Sequence, residues 1–175
     1  MRLFIAINFP AEIKTIIAQR RDRLKEAACQ GNFSFDENLH LTLVFLGECD
    51  VRQTNSVKAI MDDTRFEGFI LTLDKVGHFN RHGGDVWWIG MKENKALSDL
   101  QADLTMRLIQ KGFTLEDRKY SPHVTIGREV KIRQRIETQD ILHVSFHINN
   151  FELMKSERIN GKLTYTQVYA KRANK

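Results

Sequence analysis

Two short segments of the sequence carry the same pattern of residue types: His, apolar, Thr, apolar. The first is "HLTL", which begins at His40, and the second is "HVTI", which begins at His123. In a strand the side chains of residues i and i+2 point to the same side, so each segment would present an imidazole and a hydroxyl on one face. A single His on a strand is more often structural than catalytic. The pattern occurs twice among only six His residues, however, which favours a shared role.

Two imidazoles that converge on one ligand suit a reaction that needs one base and one acid, because an unperturbed imidazole titrates near neutral pH. The hydroxyls of Thr42 and Thr125 would then donate hydrogen bonds to nearby oxygens of that ligand. A phosphodiester matches this set of groups. Its nucleophile must lose a proton, its leaving oxygen must gain one, and its two free oxygens need donors. This scheme requires no metal ion and no cofactor.

Arg128 and Phe45 each follow the His of their segment by five residues. In a regular strand an offset of five points to the opposite face, so these side chains would reach the site only where the strand bulges or ends. Gly127 makes such a bulge plausible beside Arg128. A guanidinium there would bind phosphate, and an aromatic ring would stack on a nucleotide. The sequence alone leaves two alternatives open, namely a surface arginine and a core phenylalanine.

The segments around the two motifs alternate between helix and strand patterns. Apolar residues spaced by three and four predict helices at 11–28, 51–62 and 94–110. Apolar or alternating runs predict strands at 2–7, 39–47 and 121–127, a hairpin from 66–79 and 85–91, and a final hairpin from 141–156 and 163–170.

The order of these elements repeats along the chain. In each half a helix precedes the His-containing strand, and a charged connection and a long hairpin follow it. We therefore predict an α+β fold with two pseudo-symmetric lobes, each an antiparallel sheet with helices on its outer face, and an active-site cleft between the lobes. No Ser-, Pro- or Gly-rich linker divides the chain, so we predict a single bilobal domain over residues 1–175.

The composition favours an anionic partner and an ordinary reducing environment. Lys and Arg number 27 against 22 Asp and Glu, a net charge of +5, which suits a nucleotide or an RNA end. The two Cys residues, Cys29 and Cys49, form neither a disulfide framework nor a zinc knuckle. The apolar run near the N-terminus is too short for a signal peptide or a membrane span. We expect a monomer in the cytoplasm, without membrane contact.

Five segments, spread over nearly the whole chain, match one known family. They are "MRLFIAINFP", "NLHLTLVFLGE", "VGHF" followed by "DVWWIGM", "GFTLEDRKYSPHVTIGR" and "LMKSE". Together they resemble the 2H phosphoesterase superfamily, and in particular its RNA 2',3'-cyclic phosphodiesterases, formerly called 2'-5' RNA ligases. The resemblance implies hydrolysis of a 2',3'-cyclic phosphate at an RNA or nucleotide end to a 2'-phosphate, without metal or cofactor. It also implies a role for each motif residue: His40 and His123 as the catalytic pair, Thr42 and Thr125 as phosphate contacts, and Arg128 as the phosphate-binding arginine.

Two features depart from the family pattern. Many relatives carry a Trp several residues before the first motif, where this chain has "NFSFDEN", so Phe33 or Phe35 would take over its packing role. The loop "NRHGGD" contains fewer prolines than the family leads us to expect. Within the catalytic pair we assign His123 as the base that activates water and His40 as the acid that protonates the departing O3'. The pseudo-symmetry of the motifs equally allows the opposite assignment.

Three alternatives remain for the function. A zinc enzyme would use His78 with His82 or His143 with His147, although two His on one strand face lie too far apart to grip an ion unaided. An RNA-end binding module without turnover would use aromatic side chains for stacking, namely Phe45, Phe79, Trp87 and Trp88. The same chemistry also allows RNA ends to be joined through a 2'-5' linkage. An ATP-driven ligase is disfavoured, because the sequence has no P-loop and no adenylation lysine motif.

Overall fold

The computed structural model describes residues 1–133 and 142–174 of the chain. Within these residues the helices are α1 (Ala11–Ala27), α2 (Val51–Asp63) and α3 (Lys95–Gln110). The strands are β1 (Arg2–Asn8), β2 (Ala28–Phe33), β3 (His40–Glu48), β4 (Phe69–Phe79), β5 (Asp85–Met91), β6 (His123–Ile132), β7 (Ser145–Ile148), β8 (Asn150–Ile159) and β9 (Lys162–Arg172). A short 3-10 turn, Asp36–Asn38, lies just before β3. The three predicted helices and the hairpin of β4 and β5 are confirmed.

The strands form two antiparallel sheets. The first sheet has the order β3-β1-β8-β9 and contains His40, whereas the second has the order β2-β6-β5-β4-β7 and contains His123. Helix α1 packs against β2 and β6, α3 packs against β3, and α2 packs against α3 and β9. The predicted α+β fold with two sheet-based lobes is therefore confirmed. The prediction of a single domain over residues 1–175 stays a prediction.

The two halves of the chain exchange elements between the lobes. The hairpin of β4 and β5 pairs with β6 of the second motif, although it directly follows the first motif in sequence. The hairpin of β8 and β9 pairs with β1, which lies beside β3 of the first motif. Each helix that precedes a motif packs on the sheet that holds the other motif. Each lobe is thus built from both halves, which the repeated order of elements did not reveal.

The C-terminal hairpin differs from its prediction. The expected strand at 141–156 is two strands in different sheets, because β7 pairs with β4 and β8 pairs with β1 and β9. Asn149 lies between them and is the residue at which the chain crosses from one sheet to the other. Residue 141 lies outside the described residues. Strand β2, with the sequence "ACQGNF", was not predicted, because it lacks the β-branched residues and the alternation that mark a strand.

Apolar side chains cover both faces of β1. Leu3, Ile5 and Ile7 lie in the main core, each 1% exposed or less. The alternate residues Phe4 and Ala6 are also buried, but in a separate small cluster with Met154 and Tyr165. Because side chains alternate along a strand, this second cluster lies on the opposite face of the sheet.

Local interactions explain where the three helices begin. Asp50 caps α2 in a capping box with Gln53, and the side chain of Asn94 caps α3. Helix α1 starts directly after Pro10, whose missing N–H costs nothing there. The buried stripe of α3 has the spacing that the sequence predicted: Leu97, Leu100, Leu104 and Leu108. In the described part of the chain no helix is long and apolar enough to span a membrane.

Candidate active site

Both motif strands contain a β-bulge at the same distance from their His. In β3, Val44 pairs with Ile5 and Thr42 pairs with Ala6, so Leu43 is the extra residue. Leu43 and Val44 are consequently both buried, and the alternation of side chains shifts by one residue.

Strand β6 repeats this geometry against β5. Gly127 pairs with Trp87 and Thr125 pairs with Trp88, so Ile126 is the extra residue. The burial patterns of the first six residues of β3 and β6 are identical, with the fourth and fifth buried and the sixth exposed. From the sequence, residues five positions after each His were expected to reach the site only if the strand bulges. Both strands contain such a bulge.

The bulges return Phe45 and Arg128 to the faces that carry the imidazoles. The ring of Phe45, which is 45% exposed, lies 5.9 Å from the ring of Phe4, and that ring lies 4.9 Å from the ring of His40. Arg128 is exposed, and its positive charge lowers the pKa of both His40 and His123. The charge of the predicted arginine therefore acts on both imidazoles.

His40 is held by hydrogen bonds at both ring nitrogens. Its Nδ1 lies 2.7 Å from the carbonyl oxygen of Asn38, and its Nε2 lies 2.9 Å from Oγ1 of Thr42. A carbonyl oxygen only accepts, so Nδ1 carries the proton, and the neutral Nε2 accepts from the Thr42 hydroxyl. The rings of Phe4 and Tyr165 flank the imidazole at 4.9 and 5.1 Å.

This environment keeps the His40 imidazole neutral. Burial, the largest cause, lowers the pKa of His40 to about 4 together with the positive charges of Lys14, Arg128 and His123, although the hydrogen bond to Asn38 opposes the shift. His40 is therefore uncharged at neutral pH in this environment.

His123 has the same hydrogen bond at Nδ1 as His40 but, within the described residues, none at Nε2. Its Nδ1 lies 2.7 Å from the carbonyl oxygen of Ser121, the same i−2 contact that His40 makes. Its ring lies 5.4 Å from Phe79 and 6.3 Å from Trp88. Burial lowers the pKa of His123, with smaller contributions from Arg128 and Arg118. Within the described residues its Nε2 has no protein hydrogen bond.

The two motif strands are neighbours although they belong to different sheets. Strand β3 packs against β6, and the Tyr120 hydroxyl, just before β6, donates to the Thr42 carbonyl at 3.1 Å. The Ser34 hydroxyl donates to the Thr125 carbonyl at 2.8 Å. These bonds fix the backbone of both motifs, and the predicted pairs of His and Thr lie on strands that are in contact with each other.

The two tryptophans of β5 have different environments. Trp87 is 4% exposed and belongs to the core, where its ring stacks on that of His78 at 4.8 Å. Trp88 lies on the other face, opposite Thr125, and its ring is 5.2 Å from that of Phe79. The sequence-based preference for core packing of at least one Trp is thus confirmed.

The structure also gives the environments of the two Phe residues before the first motif and of the His residues considered as zinc ligands. Phe33 is partly buried and packs against the core, so it suits the packing role left by the absent Trp. Phe35 is 47% exposed, with Lys162 Nζ 4.3 Å from its ring centre. His143 precedes β7 and has a φ of 40°, so the expected strand that would carry it together with His147 is wrong. Among residues 1–133 and 142–174, no group of three or more His, Cys, Asp or Glu could hold a metal ion.

Comparisons with known proteins agree on one family. A sequence model described as the 2'-5' RNA ligase superfamily matches residues 9–160. The RNA 2',3'-cyclic phosphodiesterase of Methanothermobacter thermautotrophicus is 30% identical over 178 residues, with 96% of each chain covered. That of Escherichia coli is 32% identical over 167 residues, with 94% of this chain and 92% of the relative covered.

Solved structures give the same result. The crystal structure of Escherichia coli LigT complexed with 3'-AMP superposes with a TM-score of 0.88 at 30% identity, covering 99% of this chain and 98% of that chain. The structure of TT0787 of Thermus thermophilus, at 22% identity and a TM-score of 0.82, shares the fold.

Proposed function

The chain belongs to the 2'-5' RNA ligase superfamily, and from this we propose that it hydrolyses 2',3'-cyclic phosphates at the ends of RNA or on nucleotides, leaving a 2'-phosphate. The observation that carries the proposal is the matched pair of imidazoles. His40 and His123 each have Nδ1 bound to the carbonyl two residues earlier, so each offers Nε2 for chemistry.

His123 acts as the base in this proposal. Its Nε2 has a free lone pair within the described residues, and the lowered pKa of its imidazole keeps that lone pair available at neutral pH. The base removes a proton from a water molecule as the water oxygen bonds to phosphorus. In His40 the corresponding lone pair is already occupied by the Thr42 hydroxyl, which favours His123 for this role.

His40 acts as the acid. As the bond between phosphorus and O3' breaks, Nε2 of protonated His40 gives its proton to O3', so the products are a 3'-hydroxyl and a 2'-phosphate. Without a nearby anion the pKa of His40 is about 4, so His40 takes up its proton from the solvent as the substrate anion binds. The negative charge of the bound phosphodiester supplies the cause, because it favours the charged imidazolium.

Thr42, Thr125 and Arg128 stabilise the phosphate in this mechanism. The two hydroxyls donate to the nonbridging oxygens, and the guanidinium balances the charge that builds up on them in the transition state. Phe45 would stack on a base, as its exposed ring on the His40 face allows. No step in this scheme uses a metal ion or cofactor. A 5'-hydroxyl in place of the water would produce a 2'-5' linkage by the same steps.

Phosphorus NMR of an oligonucleotide that ends in a 2',3'-cyclic phosphate tests the proposal. We expect the cyclic phosphate signal to be replaced by that of a 2'-phosphate, with or without EDTA. Unchanged substrate at high protein concentration would identify an RNA-end binding module, and a 3'-phosphate product would contradict the assigned leaving group. We further propose that the protein acts as a monomer in the cytoplasm, which the sequence led us to expect.

A further inference from the structure

The face of the first sheet that carries His40 extends beyond the catalytic motif. The ring of Phe4 lies 4.9 Å from that of His40, and the ring of Tyr165 lies 5.0 Å from Phe4 and 5.1 Å from His40. Side chains two residues apart on a strand share a face, so Arg2 lies on the same face as Phe4. This face therefore runs from the catalytic imidazole to an arginine at the start of β1.

Arg2, Ser156 and Tyr165 form one row across three neighbouring strands. Arg2 is opposite Ser156 in the pairing of β1 with β8, and Ser156 is opposite Tyr165 in the pairing of β8 with β9. Opposite residues of an antiparallel pair have their side chains next to each other on one face. Because neighbouring strands are about 4.8 Å apart, the row spans about 10 Å. The long side chain of Arg2 can reach across the small Ser156 toward Tyr165.

The side chains of this row have hydrogen-bond donors that are available to a ligand. Arg2 is exposed, and Ser156 and Tyr165 are partly exposed. Within residues 1–133 and 142–174, none of these three side chains makes a hydrogen bond or an ion pair. Glu48, the neighbour of Arg2 on β3, has its carboxylate 3.2 Å from the N-terminal ammonium of Met1. A ligand can therefore bind the row without breaking an interaction of these donors.

Two arginines, one from each sheet, act on the phenol of Tyr165. Burial raises the pKa of this phenol, and the positive charges of Arg128 and Arg2 oppose the shift. The phenol consequently keeps its proton at neutral pH and can donate a hydrogen bond. Arg128 also acts on both imidazoles. Tyr165 is thus next to the catalytic imidazole and also within reach of the charge of Arg2.

The chemistry of the row narrows the choice of ligand. A guanidinium, an aliphatic hydroxyl and a phenol together fit an anion with several acceptor oxygens, and all three groups are common phosphate contacts in nucleic-acid complexes. Arg128 already serves the cyclic phosphate in the proposed mechanism, so Arg2 is available for a second anion. Phe45 comes from β3 and Tyr165 from β9, on opposite sides of β1, so a base stacked on Phe45 leaves the row free.

Resting on the proposed function, we propose that Arg2, Ser156 and Tyr165 form a second phosphate subsite, which binds the phosphodiester on the 5' oxygen of the nucleotide that carries the cyclic phosphate. In RNA this phosphodiester joins the last nucleotide to the one before it. A cyclic mononucleotide without a 5'-phosphate lacks it. The subsite therefore makes the protein prefer the end of an RNA chain to a free cyclic nucleotide.

The matched test uses adenosine 2',3'-cyclic phosphate with and without a methyl phosphate ester on its 5' oxygen. The ester has the single charge of an internucleotide phosphate and adds no second base. We expect kcat/KM of the wild-type protein to favour the esterified substrate by about tenfold, chiefly through a lower KM, as hydrogen bonds to a charged group imply. Arg2→Met removes the guanidinium and should bring this ratio close to one.

Tyr165→Phe keeps the ring beside His40 and removes only the hydroxyl, so it should lower the ratio by a smaller factor. Two variants serve as controls and should keep the wild-type ratio. Arg52→Met removes an exposed arginine from α2. Tyr169→Phe removes a hydroxyl from the same strand as Tyr165, but this hydroxyl donates to Asp62. Melting curves check that each variant is folded.

The outcomes separate the subsite from the proposed function. Equal kcat/KM values for the two substrates in the wild-type protein, or an unchanged ratio in folded Arg2→Met or Tyr165→Phe, would overturn the subsite alone. Failure to hydrolyse either substrate would overturn the proposed function. Calorimetry of adenosine 2'-phosphate with and without the 5'-methyl phosphate measures the preference without turnover, and equal affinities there would also overturn the subsite.

Discussion

Oγ1 of Thr42 lies 2.9 Å from Nε2 of His40, on the ring nitrogen that the carbonyl of Asn38 leaves free. His123 has the same bond at Nδ1 but, within the described residues, no such contact at Nε2. The two imidazoles therefore share the hydrogen bond at Nδ1 and differ in the hydrogen bond at Nε2. This difference makes one of them available to accept a proton from water, although the two motifs are alike in sequence.

Substitution of either His should remove most of the activity. We expect His40→Ala and His123→Ala each to lower kcat by about 10²–10⁴-fold, the usual contribution of a general acid or base. The pH profile separates the roles. His123→Ala should lose the limb in which activity falls at low pH, and His40→Ala the limb in which it falls at high pH.

The matched control is His82→Ala, which changes an exposed His in the turn between β4 and β5. It should keep wild-type kcat and both limbs. Loss of the same limb in His40→Ala and His123→Ala would contradict the division into acid and base, and loss of opposite limbs in the reverse order would exchange the two roles.

The proton on His40 should depend on the phosphate. NMR titration of the free protein should give His40 a pKa of about 4, because burial and the nearby positive charges disfavour the charged imidazolium. With a bound nucleoside 2'-phosphate the pKa should rise, since the negative charge stabilises the imidazolium. The nucleoside without phosphate is the control and should leave the pKa in place. An unchanged pKa with the 2'-phosphate would remove His40 as the acid of the proposed mechanism.

The hydroxyl groups of the motifs, rather than the shapes of their side chains, should matter for catalysis. Thr42→Val and Thr125→Val retain the branched shape and remove the donor, and each should lower kcat by at least about tenfold, by analogy with removal of one donor to a transition-state oxygen. Thr42→Ser and Thr125→Ser restore the hydroxyl and should recover much of the loss. Equal activity of the Val and Ser variants would show that these threonines only stabilise the strand and that their hydroxyls do not contribute to catalysis.

Arg128 should act through its charge and its position on the strand. Arg128→Met should lower kcat/KM at least about tenfold, because it removes the guanidinium that acts on both imidazoles. Lys131→Met removes an exposed cation from the same strand and should have little effect. A similar loss in both variants would indicate that net charge, rather than this site, attracts the substrate.

The sequence predicted which motif side chains share a strand face, because that relationship is local. The alternation of a strand is enough to place His40 with Thr42 and His123 with Thr125 on common faces. The sequence could not predict whether the two strands bulge, because a bulge depends on the pairing with the partner strand. It could only predict that Phe45 and Arg128 would reach the site if a bulge were present. The rings of Phe4 and Tyr165 beside His40 were missed, because they come from strands that only the folded sheet brings together.

The close approach of Gly77 to Trp88 gives a further test, of how the second lobe positions His123. A Cβ atom at Gly77 would lie 2.4 Å from the indole of Trp88, so Gly77→Ala must displace this ring. Overpacking of this kind costs about 1–3 kcal/mol of stability. Because Trp88 lies 6.3 Å from the ring of His123, we also expect a lower kcat.

The double variant Gly77→Ala/Trp88→Phe identifies the cause. The smaller ring leaves room for the added methyl group, so the double variant should be more stable than the sum of the two single changes predicts. Thermal melting and kcat of the four proteins measure this coupling. If Gly77→Ala alone keeps the wild-type melting temperature and kcat, Trp88 moves aside without consequence and does not position His123.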